Sequence, residues 1–127
     1  MKKVLLMTLY AAFCLSASAQ ERDSEAYRVY CELVGYEKFL SKKCRVEVDF
    51  GQNPYEDKRI AGEDGKSVTF NSMVDAMNYM GKLGWEYEQA YVVTISGQNI
   101  YHWMLSKKVG DDSEMREGIT TKEDLKE

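Results

Sequence analysis

Apolar and polar residues alternate cleanly in two early stretches of the chain. In "AYRVYCELVGY" (26–36), Tyr27, Val29, Cys31 and Leu33 share one face, with Arg28, Tyr30 and Glu32 on the other. In "CRVEVDF" (44–50), Cys44, Val46, Val48 and Phe50 alternate with Arg45, Glu47 and Asp49. A period of two with β-branched and aromatic residues predicts strands, and a polar outer face predicts a sheet covered on one side only. The two strands are expected to form an antiparallel hairpin closed within "EKFLSKK", with Gly35 as a β-bulge. After them comes a loop-like stretch, "GQNPYEDKRIAGEDGKS", where Asp64-Gly65 reads as a tight turn. Short strands fit near 58–61 or 67–70.

The period then changes to that of a helix. Met73, Met77, Met80 and Leu83 recur every three or four residues, and Val74 and Ala76 widen the stripe. Ser72 with Asp75 forms a capping-box pattern, with Asn71 a competing cap. Gly84 falls where a left-handed residue ends a helix, and Trp85 falls where an apolar residue packs back on the last turn. The methionines and the Gly-Trp pair are thus read as folding signals. Two further strands follow, "WEYEQAYVVTIS" and "IYHWMLSKK", joined by a turn at Gly97-Gln98-Asn99. The expected fold is α+β: a roughly four-stranded, largely antiparallel sheet, β-β-α-β-β along the chain, with one helix packed on one face. The link between the second and third strands is long enough for a crossover, right-handed if those strands are parallel.

A helix ending in "LGWE" (83–86) and running into two strands that end in Lys107-Lys108 resembles a group of small bacterial α+β domains of unknown function. The resemblance covers about residues 70–109. It implies the helix-to-hairpin junction and no reaction.

The chain's start sets its expected location. Lys2 and Lys3, an apolar run over 4–15 and Ala17-Ser18-Ala19 read as a signal peptide, residues 1–19, cleaved between Ala19 and Gln20. The apolar run is shorter than the roughly 20 residues that span a bilayer, so no stable membrane anchor is expected. Phe13 before Cys14 speaks against a lipoprotein. The expected location is periplasmic or secreted. Of 17 basic and 21 acidic residues, removal of Lys2 and Lys3 leaves 15 against 21, a net charge of −6. That balance excludes nucleic acid as a partner. Residues 20–109 read as a single domain, and 110–127, with seven acids and three bases, as a mobile tail.

Candidate chemistry is thin. His102 is the only histidine, so a zinc site assembled from it, two inward cysteines and a stray carboxylate is strained. Strand parity also separates His102 from both cysteines, which excludes a Cys-His nucleophile pair. Glu47/Asp49 and Glu86/Glu88 sit at i, i+2 on solvated strand faces, without the contrast of environments that acid–base pairs need. No nucleophile elbow, phosphate loop or zinc-protease motif is present. No catalytic residue, cofactor or metal is expected. Cys31 and Cys44 form an even pair on neighbouring strands. A disulfide between them would close a loop of about 14 residues, worth about 3 kcal/mol, but each thiol could equally fill an apolar core position. The hairpin register decides between these.

What remains is the outer sheet face. Tyr30, Val92, His102 and Met104, set among charged residues, make a mixed patch of the kind interfaces use. The expectation is a non-enzymatic binding or interaction module of the cell envelope, acting through that face or a strand edge on an unidentified protein or small ligand. A small periplasmic hydrolase or ligand-processing enzyme, and a purely structural protein that self-associates into a homo-oligomer, are the alternatives.

Overall fold

The computed structural model describes residues 25–126. The signal-peptide reading, with its cleavage at Ala19-Gln20, and Cys14 lie outside the described residues. Five strands form one antiparallel sheet: β1 (Tyr27–Glu37), β2 (Cys44–Asp49), β3 (Thr69–Phe70), β4 (Glu86–Ile95) and β5 (Gln98–Val109). Their spatial order is β3-β2-β1-β5-β4. A single α-helix, α1 (Met73–Lys82), precedes β4. The α+β class and the antiparallel sheet are as expected. The strand count is five rather than four, because Thr69 and Phe70 pair with Arg45 and Cys44. Every pairing is antiparallel, so the handedness rule for parallel crossovers does not apply.

The alternating faces dictate the core. Val29, Cys31 and Leu33 on β1, with Cys44, Val46 and Val48 on β2, are buried beneath Met73, Ala76 and Met80 of α1. The helix is bounded as its sequence demands. Ser72 Oγ accepts the N–H of Asp75 (3.2 Å), and Asp75 Oδ2 accepts that of Asn71 (2.9 Å). At the other end Gly84 has φ of +93°. The Trp85 and Gly84 amides close back on Met80 O and Gly81 O at 3.2 and 3.1 Å, a Schellman ending. Trp85 is then buried, although its Nε1–H finds no acceptor among the described residues. Val74 departs from the expected stripe: it faces solvent.

Two local expectations change. Gly35 is not a bulge, since β1 keeps unbroken register with both β2 and β5 through it. It is a close-approach position instead: a Cβ there would lie 2.2 Å from Met73 Sδ. The β4–β5 turn falls one residue early, at Ser96-Gly97. Their φ values of +51° and +77° are those of a type I′ hairpin.

The expected mobile tail is part of the domain. After β5 come two 3₁₀ turns, Asp112–Arg116 and Glu123–Leu125, and Ile119 and Thr121 between them are buried. Thr121 bridges Ile60, Ala61 N donates to Thr120 O (2.8 Å), and Lys122 N donates to Arg59 O (2.9 Å). Segment 58–61 in turn pairs with β2 through Val48 N to Lys58 O (3.0 Å) and Ile60 N to Val46 O (3.3 Å). Segment 58–61, β3 and the tail therefore cover one edge of the sheet. Nothing among the described residues covers the other, β4.

Candidate interaction surface

Register assigns the paired residues of β1, β4 and β5 to faces. On the open face, away from α1, lie Arg28, Tyr30 and Glu32 of β1, and His102, Met104 and Ser106 of β5. Of the expected patch, Tyr30, His102 and Met104 are there together. Val92 is not. A β-bulge between Tyr87 and Gln89 shifts the β4 register by one residue, so Val92 pairs with Tyr101 on the helix side. One inserted residue inverts the parity of every later side chain on the strand. Tyr91 takes the outer place instead.

Tyr91 completes a small polar cluster. Its ring stacks on His102 with centroids 4.6 Å apart and planes 1° from parallel. His102 Nδ1 lies 2.9 Å from Glu32 Oε1, and the Tyr91 hydroxyl lies 3.5 Å from Glu32 Oε2. Desolvation by its neighbours, and the Glu32 charge beside it, raise the Tyr91 hydroxyl above its usual range. His102 is therefore more tightly held than a free surface residue. A second cluster lies further along the face. Arg28 donates to Ser106 Oγ (2.9 Å), Ser106 donates to Glu88 Oε1 (2.5 Å), and Arg28 pairs with Glu86 (3.6 Å) and Glu88 (3.9 Å). The Glu86/Glu88 pair is thus spent on Arg28 and Ser106. Asp49 binds Lys58 (3.2 Å) and the Gly51 amide (2.8 Å).

These clusters hold the surface in place, and neither brings His102 to a nucleophile. Glu32 orients His102, but the hydroxyl of Ser106 lies four residues along β5, about 13 Å at strand spacing. Cys31 and Cys44 are on the opposite face. Neither forms the nucleophile–base contact that covalent catalysis needs. Burial pushes the Cys31 thiol up to about 12 and also raises that of Cys44, the reverse of activation. Among the described residues, no group of three or more His, Cys, Asp or Glu converges as a metal would require.

Cys31 and Cys44 are free. Cys44 stands opposite Glu37, six residues along β1 from Cys31, which is about 20 Å at strand spacing. Bridged Cα atoms lie within about 7 Å of each other, so the register rules out the Cys31–Cys44 bond. Each thiol fills a core position, with Cys44 Sγ 3.8 Å from Met73 Sδ.

No family model, curated protein or solved structure matches the chain. No described helix is long and apolar enough to cross a membrane.

The most exposed apolar surface gathers on β4. Tyr87, Tyr91, Val92, Val93 and Ile95 are all exposed, more large hydrophobics than any other element presents to solvent. All ten residues of the strand are exposed. On the helix side, α1 is too short to reach across five strands. A groove of about 230 Å³ opens between its first turn and the sheet, its lining including Met73, Val74, Tyr101 and Trp103 together with the charged Glu37 and Lys42. Tyr87 packs edge-on against Trp103 (5.8 Å) and continues this floor out to β4. Sequence reasoning missed this surface because "AYVV" (90–93) is apolar at both parities. Such a run carries no sign of which face each residue takes.

Proposed function

We propose that the domain is a non-enzymatic protein-binding module of the cell envelope, and that β4, with the apolar floor beside it, is its working surface. The observation that supports this reading is the asymmetry of the sheet. One edge is covered by segment 58–61, β3 and the tail. The other is a ten-residue strand, uncharged from Gln89 to Ile95 and exposed throughout. Edges of that kind are protected by lysine, proline or a covering segment unless they pair with something. An extended strand added there would gain main-chain hydrogen bonds, with side-chain pockets supplying selectivity.

The test is native purification of the tagged protein from its own cells, as wild type, as Val92→Lys and as Tyr55→Lys. Tyr55 is an exposed loop residue outside the sheet and serves as the control. Stoichiometric partners should accompany the wild type and Tyr55→Lys, and be lost from Val92→Lys. The same partners on all three proteins would refute the reading. A hydrolase reading predicts instead an activity that fails on alanine substitution at Glu47, Asp49 or His102.

A further inference from the structure

We infer that the partner of β4 is the β4 of a second copy, paired antiparallel about a two-fold axis at Val92. This rests on the binding reading above and names its occupant. Ile95 and Gln98 flank the two-residue turn and so form a hydrogen-bonded pair. Counting back by twos, the free N–H and C=O groups of Ala90, Val92 and Thr94 point away from β5. A two-fold axis at Val92 sets Val92 against its own copy and Ala90 against Thr94, twice. Each of these three pairs exchanges two main-chain hydrogen bonds.

The side chains suit the same register. On the open face Tyr91 meets Val93 of the copy, an aromatic–β-branched pair of the stabilising kind. Gln89 meets Ile95. Ile95 of the copy lies opposite Gln89 and its chain then turns away at Ser96-Gly97, so Glu88 and Glu86 run past the end of the copy's strand and neither carboxylate faces another across the junction. Centring the axis on Ala90 would set Glu88 against Val92, and centring it on Glu88 would oppose like charges. The Val92 register alone avoids both while pairing the whole uncharged run. The axis is perpendicular to the sheet, so both helices lie on one side. Between them the floor of Tyr87, Val92, Tyr101 and Trp103 is doubled.

The experiment combines sedimentation velocity on the full chain with amide exchange at two concentrations. A dimer is expected. The amides of Ala90, Val92 and Thr94 should slow about tenfold or more from dilute to concentrated protein, while those of Tyr91 and Val93, bonded to β5, stay slow in both. Val92→Lys sets like charges directly opposite one another and should weaken the dimer about tenfold or more. Its urea midpoint, measured at a dilution where both proteins are monomeric, should stay unchanged. A monomer at every concentration overturns the inference, as does a dimer in which the three edge amides stay fast. A monomeric chain that still captures a foreign protein through Val92 overturns self-pairing and leaves the binding reading standing. Loss of both sinks both.

Discussion

Gly35→Ala tests how the helix sits on the sheet. The added Cβ would fall 2.2 Å from Met73 Sδ and 3.0 Å from its Cε, where ordinary contact begins near 3.4 Å. Met73 must therefore retreat by more than 1 Å. Its thioether is buried and lies 3.8 Å from Cys44 Sγ. Its exit is the groove beside Val74, Tyr101 and Trp103, where it would lose core contact and gain water. Overpacking of this kind costs about 1–3 kcal/mol. Relief of the glycine's chain entropy in a strand returns about 0.5–1 kcal/mol. The net prediction is a loss of about 1–2 kcal/mol, read as a lower urea midpoint at unchanged slope. The cause is checked by a double-mutant cycle. With Met73→Ala already in place, Gly35→Ala should be neutral or stabilising, a coupling of about 1 kcal/mol or more. A Gly35→Ala protein as stable as wild type, or one equally destabilised with and without Met73, would refute the close-approach reasoning.

Ile119→Ala should destabilise the domain by about 2–4 kcal/mol in urea unfolding, because Ile119 is buried in the core; a mobile tail predicts no change. Leu40 has φ of +57° and a fully solvated side chain, so Leu40→Gly should raise stability by about 1 kcal/mol in the same assay. Asp57 is held at about 2, chiefly by its hydrogen bonds from Arg59, against an unfolded value of 3.8. Its folded value is the lower one, so it stabilises above about pH 4 and loses that contribution as pH falls through about 2. Asp57→Asn should accordingly cost up to about 1 kcal/mol at pH 7, since the pair is partly solvated. That difference should shrink steadily as urea titrations are carried from about pH 4 down through about pH 2.

The elements legible in the sequence were those whose signals are local. β1 and β2 declare themselves by alternation, and α1 by Ser72, the methionine spacing and Gly84-Trp85. What the sequence hid depends on distant partners. β3 falls within the 67–70 stretch where a short strand fits, but its two-residue extent is set only by Cys44 and Arg45, which are there to pair with it. The tail has one large buried apolar residue, Ile119, and its order comes from bonds to Arg59, Ile60 and Ala61, some sixty residues away. The six-residue loop between β1 and β2 leaves the register open to sequence reasoning, and with it the fate of Cys31 and Cys44. At the candidate site, Tyr30, His102 and Met104 were placed by parity alone. Val92 was not, because a bulge at Glu88 leaves no mark in a segment apolar at both parities.

The central claim is that β4 is the edge this protein uses. Its most direct test is a photo-crosslinking residue at position 92, with a second at position 55, in living cells. Discrete adducts are expected from position 92, at twice the chain mass or joined to a defined partner, and none from position 55. Position 92 without adducts, or adducts indistinguishable from those at position 55, would contradict it.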